Sequence, residues 1–476
     1  MVYDDHILTL NGNRTMHASL NELSQLLTSG QIKTDAKTKQ EYGHDLSLYC
    51  NSNPSAVVFP ETEQDIVELV NWANKTQTAL VPSGGRTGYS GGASALQGEV
   101  VISFERMSHI LDYNPYDREI TCEPGVITQD LQTYARKQGL FYPVDFAATD
   151  RCQIGGNIAT NAGGINVIRY GSTRDWVVGL RVATGQGEVM SLNGGLFKNS
   201  SGYDLRHLFI GSEGTLGFIT QATLHLTDPP KPNQTLCFAV NDKQAILDML
   251  WLLRECVSIT ACEFFDDASM AYVCQAYDLE RPFNDYTAYY VLLSYEANVD
   301  CDQVVHQRIE RALNKGFIQQ YHQAQDQQQA AYFWQFRIKI SRSLLPYTPY
   351  KYDLAVRPSQ IPDFIDEMDD LFKTKFPHLT TVWWGHVGDG NLHLNILKPD
   401  GWQREAFIDY CHQVSEHVFG LIYQYGGTIS AEHGIGLLKK PFMQYNQSSE
   451  QLSHLQTIKY QFDPQGIMNP AKLLEG

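Results

Sequence analysis

Apolar and polar positions follow two periods along the first half of the chain. Short apolar runs at 56–60, 99–104 and 119–126 predict strands. The stretch at 62–75 carries its apolar residues on one face, as an amphipathic helix does, and a second helix is predicted at 128–139. Strands therefore alternate with helices, which is typical of an α/β or α+β layer fold.

Residues 141–175 interrupt this rhythm because they are rich in Gly, Asn, Thr and Ala and offer little to bury. A long irregular segment inside a compact domain is often functional. The regular pattern resumes with a predicted hairpin at 176–192, and the proline-rich stretch at 228–234 indicates a domain boundary.

A second series of strands and helices fills residues 235–400. Its strand-like runs, among them TAYYVLLSYE and YKYDLAV, predict an antiparallel sheet in an α+β layer, and a long helix is predicted at about 402–425. The expected fold class of the whole chain is therefore α+β.

The chain is acidic, which limits its partners. Asp and Glu outnumber Lys and Arg by 53 to 36 among 476 residues, for a formal net charge of −17. This balance argues against nucleic acid or an acidic membrane surface, because phosphate binding needs a basic face, although a local basic pocket can still hold a small anion.

Cysteine usage and the N-terminal pattern favour the cytoplasm. Nine cysteines without a C-x-x-C pair are typical of free thiols in a reducing compartment. The first residues lack the pattern of a signal or transit peptide, and no apolar run approaches the roughly 20 residues of a transmembrane helix. We therefore expect a cytoplasmic protein.

Two glycine-rich stretches, PSGGRTGYSGG at 82–92 and IGGNIATNAGG at 154–164, are candidate anion sites. Their successive small residues expose backbone N–H groups that can cradle a diphosphate. The first stretch matches neither the Rossmann nor the Walker spacing. Two such loops suit a dinucleotide better than a single phosphate; the alternative is a pair of plain flexible loops.

GHVGDGNLHLN, at 385–395, places His386 and His393 on either side of a Gly-Asp-Gly turn. The flanking residues predict strands, so a hairpin or sharp bend would bring the two imidazoles together beside Asn395. We interpret Asp389 as a turn-former rather than a ligand. The arrangement indicates a metal or catalytic site.

TISAEHGIG, at 428–436, offers a third partner for the two imidazoles. Glu432 with His386 and His393 would form a set of two histidines and one carboxylate, which leaves coordination positions open for substrate. On an extended backbone Glu432 and His433 would point in opposite directions, so that one binds metal and the other faces substrate. The alternative is a Glu-His pair in a surface loop.

Six motifs in order carry a family resemblance: PSGGRTG, IGGNIATNAGG, GSEGTLG, GHVGDGNLH, SAEHGIG and DPQGIMNPAKLL. Together they resemble the FAD-linked D-2-hydroxyacid dehydrogenases of the vanillyl-alcohol-oxidase (PCMH-type) superfamily, over about residues 36–474. YKYDLAV at 350–356, with Arg337 upstream, is similar to the D-2-hydroxyglutarate dehydrogenases, whereas D-lactate and glycolate enzymes usually lack that Lys-Tyr-Asp. Two departures lie near the substrate region: Ser341 where Thr is common, and Arg357-Pro358 where the family has an apolar-Pro run.

The resemblance implies four parts. They are an N-terminal leader (1–35), a PCMH-type FAD-binding domain of two α+β subdomains (36–228), a substrate or cap domain with an antiparallel sheet (229–425), and a C-terminal segment that packs on the FAD domain (426–476). The residues implied around FAD are Pro82, Gly84, Gly85, Arg86, Thr87, Gly88, Pro143, Gly155, Gly156, Asn157, Thr160, Gly163, Gly164, Ile219 and Asn469. Some relatives hold FAD through a His in the first loop; Arg86 stands here, so the expected FAD is non-covalent.

The resemblance also implies oxidation of a D-2-hydroxy acid by hydride transfer to flavin N5, with D-2-hydroxyglutarate or D-malate as the expected substrate. A divalent metal on His386, His393 and Glu432, with zinc expected and manganese or cobalt as alternatives, would stabilise the alkoxide. His433 would act as the base, because imidazole titrates near working pH.

The expected substrate-binding residues are Arg337, Ser341, Lys351 and Asn395, of which the two cations would hold a dianion. The expected electron acceptor is electron-transfer flavoprotein or a quinone, and assembly as a homodimer stays open. The alternatives are a D-lactate dehydrogenase of the same family, a metal-dependent hydrolase without flavin, and a flavin-binding redox sensor.

Overall fold

The computed structural model describes residues 16–47, 51–297 and 301–474. Its strands form three sheets, and each sheet is built from strands that are consecutive in the chain. Residues 1–15 of the predicted N-terminal leader lie outside the described residues.

The first sheet has four strands in the order β1-β2-β4-β3, of which β2, β4 and β3 are parallel. Its elements are α1 (Met16–Leu26), β1 (Ile32–Lys33), α2 (Ala36–Tyr42), β2 (Ala56–Val58), α3 (Glu63–Thr76), β3 (Leu80–Ser83) and β4 (Val100–Ser103). A capping box of Thr62 and Asp65 starts α3, whose apolar stripe packs on the sheet. The glycine loop at 84–92 begins directly where β3 ends.

The second sheet is antiparallel, in the order β5-β6-β9-β7-β8. Its elements are β5 (Ile110–Asn114), β6 (Glu119–Cys122), α4 (Thr128–Lys137), α5 (Ile154–Thr160), α6 (Val167–Tyr170), β7 (Val177–Thr184), β8 (Val189–Leu192), α7 (Arg206–Phe209) and β9 (Gly217–His225). The predicted hairpin at 176–192 is confirmed as β7 and β8.

The prediction of an irregular segment at 141–175 is wrong in part, because α5 and the short α6 lie within it. Glycine weakens a helix, but Gly155 packs so closely on Pro124 that a Cβ there would lie 2.6 Å from the proline Cβ. The close approach of Pro124 therefore requires a glycine at this helical position despite its poor helix propensity. The irregular chain after α5 does need glycine, since Gly164 has φ +136° and a Cβ there would meet the Asp145 carbonyl oxygen at 2.0 Å.

The third sheet has seven antiparallel strands in the order β13-β10-β12-β11-β15-β16-β14. Its strands are β10 (Asn233–Val240), β11 (Ile259–Asp266), β12 (Tyr289–Glu296), β13 (Gln320–Gln323), β14 (Tyr350–Ala355), β15 (Thr380–His386) and β16 (Asn391–Leu397). The helices between and after them are α8 (Lys243–Arg254), α9 (Asp267–Tyr277), α10 (Cys301–Asn314), α11 (Gln327–Ile338), α12 (Ile340–Ser343), α13 (Ile361–Lys375), α14 (Arg404–Gln424) and α15 (Ser449–Phe462).

The two faces of β14 and β16 differ in character. Leu392, Leu394 and Ile396 alternate with polar residues and join Tyr352 and Leu354 in the largest apolar cluster, against α13 and α14. The opposite face carries charged and polar side chains that are also buried. A buried polar face needs partners, and it is this face that forms the candidate site.

The C-terminal segment returns to the first sheet. Leu80 of β3 donates its N–H to the Ile467 carbonyl at 2.8 Å, and Asn469 donates its N–H to the Leu80 carbonyl at 2.8 Å. Among the described residues, no helix is both long enough and apolar enough to cross a bilayer. The seven cysteines for which the structure describes a state are free thiols.

Candidate active site

Strand register brings the polar residues of the third sheet to one place. In the antiparallel pairs, His393 of β16 lies opposite Asp353 of β14, Asn395 opposite Lys351, and His386 at the end of β15 lies opposite Asn391. Paired residues share a face, so these side chains all project from the polar face. The rings of His386 and His393 are 5.4 Å apart between centroids, as a hairpin predicts.

Glu432 lies at the centre of three imidazoles. Its Oε1 is 3.8 Å from His386 Nε2, 3.6 Å from His393 Nε2 and 3.6 Å from His433 Nε2. The prediction that Glu432 and His433 point in opposite directions is therefore wrong. The backbone here is not extended, and both side chains turn into the same space.

Asp353 explains this turn. Its buried Oδ2 accepts backbone N–H bonds from Ala431, Glu432 and His433 at 3.1, 3.0 and 2.8 Å, which wraps the segment around one carboxylate oxygen. The oxygen also lies 3.4 Å from Lys439 Nζ. A carboxylate oxygen that accepts several consecutive backbone N–H groups restrains the conformation of the segment that donates them.

The charge of Asp353 is well compensated. Burial would raise its pKa, but His433, Lys439 and the backbone donors hold the pKa of this carboxyl well below its usual range. Its other oxygen accepts from Asn391 Nδ2 at 3.0 Å. Ligand atoms of Asp353, His393, Glu432 and His433 lie within 4.8 Å of one another. Since both oxygens of Asp353 already accept hydrogen bonds, Asp353 is the poorest ligand of these four.

Glu263 of β11 binds the side of the His386 ring that faces away from Glu432. Its Oε1 accepts from His386 Nδ1 at 2.7 Å, and its Oε2 forms an ion pair with Arg337 Nη2 at 2.7 Å. This leaves Nε2 of His386 facing Glu432, although Arg337 Nη2 also lies 3.3 Å from it. Burial lowers the pKa of His386, but Glu263 outweighs it and raises that pKa to about 9. A metal at Nε2 would have to displace the proton.

The pKa values of the other groups in the cluster are shifted in opposite directions. Burial raises the pKa of Glu432, because the charged carboxylate loses water. Burial lowers the pKa of His433 to about 4, against the opposing charge of Asp353. The pKa of His393 is lowered well below its usual range for the same reason. His433 and His393 are therefore neutral at working pH and can accept a proton or a metal.

Several buried polar atoms beside the cluster have no hydrogen-bond partner among the described residues. They include Nε2 of His393, Nε of Arg337, and both Oδ1 and Nδ2 of Asn395. His393 and Asn395 are almost fully buried, with exposed fractions of 2% and 1%. Such atoms are rare in folded proteins and indicate a polar ligand or metal.

A cavity of about 350 Å³ connects this cluster to the glycine loops. The predicted residues that line it are Pro82, Gly84, Gly85, Arg86, Thr87, Gly88, Gly155, Gly156, Asn157, Thr160, Gly163, Gly164, Ile219, Arg337, Ser341, His386, Glu432 and His433. A Cβ at Gly156 would meet no atom within 4 Å, so this glycine leaves open space in the cavity wall. The donor loops and the space fit a dinucleotide.

Five predicted residues do not line this cavity: Pro143, Lys351, His393, Asn395 and Asn469. Lys351 donates to Ser341 Oγ, a residue of the cavity wall, at 3.0 Å. Asn469 is fully buried, and its Nδ2 donates to the carbonyl oxygens of Gly92 and Glu213 at 2.9 and 2.7 Å. Asn469 thus joins the C-terminal segment to the first glycine loop and to the loop before β9.

Sequence reasoning missed Asp353 and Glu263, although a usable signal was present. Each is a lone acidic residue inside an apolar strand, in YKYDLAV and ACEFF. A buried strand carries a charge only when a partner compensates for it. The position of each carboxylate predicts a cation or donor nearby, but not which one.

Residues 54–193 match the model of the FAD binding domain, and residues 229–473 match the model "FAD linked oxidases, C-terminal domain". The chain is similar to a D-2-hydroxyglutarate dehydrogenase of Stutzerimonas stutzeri, with 43% identity over 96% of this chain and 98% of the relative.

A D-2-hydroxyglutarate dehydrogenase of Xanthomonas citri pv. viticola is also 43% identical, over 95% of this chain and 96% of the relative. Among solved structures, p-cresol methylhydroxylase with substrate bound matches with a TM-score of 0.76 and 14% identity, over 97% of each chain. This structural likeness concerns the fold alone.

Proposed function

This chain belongs to the FAD-linked oxidases, and we propose that it is an FAD- and metal-dependent dehydrogenase that oxidises a D-2-hydroxy diacid to the 2-oxo acid. The name of the relatives supports D-2-hydroxyglutarate as the substrate, with D-malate as the shorter alternative. The observation that carries the proposal is the convergence of Glu432 and three imidazoles at one end of a glycine-lined cavity.

The proposed metal ligands are His386, His393 and Glu432. His393 offers a buried Nε2 without a partner, and Glu263 holds the Nδ1 of His386 so that its Nε2 faces the same point. A carboxylate behind a ligating imidazole is the usual way to fix its tautomer and direction. When bound, the divalent metal, for which zinc suits these ligands, supplies positive charge that makes a nearby hydroxyl a stronger acid.

The glycine loops support binding of FAD. Gly84, Gly85, Gly88, Gly155 and Gly156 line one continuous cavity, and the residues of these loops can donate backbone N–H groups to the diphosphate. When bound, FAD supplies the hydride acceptor. We also propose electron-transfer flavoprotein or a quinone as the final acceptor, as the family resemblance implies.

His433 is the proposed base. Burial lowers its pKa to about 4, below the near-neutral value expected from the sequence, so the ring is a weaker base. The ring is nevertheless neutral and has a lone pair for the hydroxyl proton as the Cα hydride leaves the substrate. Asp353 Oδ2 lies 3.6 Å from the Nδ1 of His433, so the imidazolium that forms is stabilised by a fixed negative charge. The wrapped segment 431–433 holds this geometry before substrate arrives.

Two cations and one amide are proposed to hold the substrate carboxylates. Arg337 is neutralised by Glu263 but keeps an unpaired Nε–H, and Asn395 offers a free amide. Lys351 has a hydroxyl partner, Ser341, rather than an anion. We therefore assign the distal carboxylate to Lys351 and the polar contacts near the metal to Arg337 and Asn395.

The test is anaerobic flavin reduction, with kcat/KM measured for D-2-hydroxyglutarate, D-malate and D-lactate. A charge-assisted contact contributes roughly 1.5–3 kcal/mol, so a diacid should exceed lactate by at least about 10-fold. If lactate is the best substrate, the diacid assignment is wrong. If none of the three bleaches the flavin, the dehydrogenase proposal itself is contradicted.

A further inference from the structure

Tyr89 lies where the first glycine loop meets the C-terminal segment. It follows Gly88, and the next residue, Ser90, donates from Oγ to the carbonyl oxygens of His433 and Gly434 at 3.0 and 2.9 Å. Leu437 donates its N–H back to the Ser90 carbonyl at 2.9 Å. The backbone beside Tyr89 is thereby fixed to the segment that carries the proposed base.

The Tyr89 ring contacts two residues of the proposed site. Lys351 Nζ lies 4.2 Å from the centroid of the Tyr89 ring, and the centroid of the His433 ring lies 5.2 Å from it. Tyr89 also lines the cavity. An ammonium over an aromatic face is attracted by the ring quadrupole, more strongly where water is excluded.

Lys351 needs such a contact because it lacks an anion. Its Nζ bonds to Ser341 Oγ, and among the described residues no carboxylate lies within ion-pair distance of it. Desolvation lowers the pKa of Lys351 to about 8. The aromatic face of Tyr89, 4.2 Å from Nζ, offers this ammonium an attractive contact in place of an anion.

We propose that Tyr89 is a positioning residue that gives the site its preference for dicarboxylates, because its ring holds the Lys351 ammonium where the distal carboxylate binds. The inference rests on the proposed function for the class of substrate. It concerns binding of the second carboxylate rather than oxidation.

The experiment is calorimetric titration of glutarate and pentanoate into the FAD- and metal-loaded protein. Glutarate has two carboxylates and no hydroxyl to oxidise, and pentanoate has the same length with one carboxylate. Tyr89→Leu removes the aromatic face and should weaken glutarate roughly 10-fold, whereas pentanoate should change little. Tyr89→Phe keeps the face and should bind both ligands like the wild type.

A double-mutant cycle shows whether Tyr89 acts through Lys351. In the Lys351→Ala background, Tyr89→Leu should cause no further loss of glutarate affinity. An equal loss in that background, an equal loss for pentanoate, failure of Tyr89→Phe to restore binding, or absence of glutarate binding to the wild type would each overturn the inference. Loss of FAD from Tyr89→Leu would also overturn it, since the ring would then serve the flavin.

The two proposals fail in different ways. Glutarate binding that depends on Tyr89, together with no flavin reduction by any hydroxy acid, would contradict the proposed function and support this inference. Flavin reduction by diacids, with glutarate binding that is indifferent to Tyr89→Leu, would contradict the inference alone.

Discussion

At the scale of single residues, two carboxylates outside the cavity lining organise the site. Asp353 wraps the segment that carries Glu432 and His433, and Glu263 directs His386 and neutralises Arg337. The sequence motifs predicted His386, Glu432 and His433, which face the cavity, because these residues lie beside glycines. The supporting carboxylates lie within apolar strands, where a lone charge indicates a compensating partner but does not identify it.

The first prediction separates the metal ligand from the base. His393→Ala should lose the metal and turnover while FAD is retained, because the flavin loops lie on other elements. His433→Ala should retain the metal and slow flavin reduction by roughly 10²–10⁴-fold, the usual loss for a general base. Metal analysis and anaerobic stopped-flow absorbance measure both. Full activity of the wild type after exhaustive chelation, with no metal detected, would contradict the metal assignment.

The second prediction concerns Glu263. Glu263→Gln keeps the size of the side chain but removes the charge that directs His386, so metal affinity should fall roughly 10–100-fold. Competition with a chelator measures the affinity, and circular dichroism checks the fold. Glu255→Gln is the matched control, because Glu255 pairs with Arg308 away from the proposed site. An unchanged metal affinity in Glu263→Gln would show that His386 is oriented without it.

At the scale of elements, periodicity predicted the helices and strands with a clear apolar stripe. The helix expected at 402–425 is α14, and the strands around 385–395 are β15 and β16. The polar edge strand β13 was missed, because Gln320–Gln323 has no apolar alternation and pairs on one side only. The Gln-rich tract at 323–329 enters α11, which Asp326 caps and which carries Arg337.

The third prediction is a pH-dependent link between α3 and the second sheet. Glu63 accepts from Arg181 of β7 and from Thr220 of β9, at 2.6 Å in each case. The bond from Arg181 lowers the pKa of Glu63 against the effect of burial. Since the folded pKa is depressed, the stabilisation is present above the ordinary value of about 4.5 and is lost as the pH falls through the folded pKa.

Glu63→Gln should therefore lower the midpoint of urea unfolding at pH 7, and the difference from the wild type should shrink below about pH 4.5. The side chains of Arg181 and Glu63 are 40% and 30% exposed, so the effect at pH 7 should be only about 1 kcal/mol. Glu22→Gln, which removes an exposed pair with Lys75, should have no measurable effect. A difference that is constant with pH would exclude the ionised pair as the cause.

At the scale of the whole molecule, family and fold class were predicted correctly, because six motifs occur in order over nearly the full length. The sequence could not predict how the parts meet. Glu213 accepts the N–H groups of Ile435 and Gly436 at 2.7 and 2.8 Å, and Asn469 donates to the Glu213 carbonyl. These contacts join residues far apart in the chain, and no local pattern encodes them.

The fourth prediction concerns the state of the flavin. The cavity is lined by loops of the first and second sheets and by the polar face of the third. FAD should therefore be held by many non-covalent contacts. The first glycine loop, at 82–92, contains no histidine that could bond the flavin, and the guanidinium of its Arg86 lies 4.1 Å from the centroid of the Tyr42 ring. Acid or heat should release all the flavin into the supernatant. Flavin that precipitates with the denatured polypeptide would contradict this.

The return of the C-terminal segment to β3 has a consequence for biosynthesis. The side chains of Gln77 and Gln465 are hydrogen bonded across 388 residues, and Met468 bridges to Leu80 beside them. During synthesis the N-terminal half emerges from the ribosome long before these partners do. The edge of the first sheet at β3 therefore stays unpaired until the C-terminal segment has been made. Contacts at such separation also form slowly. A nascent chain stalled before residue 463 should thus expose this edge to chaperones. Only a chain that includes residues 467–469 can complete the edge of the first sheet.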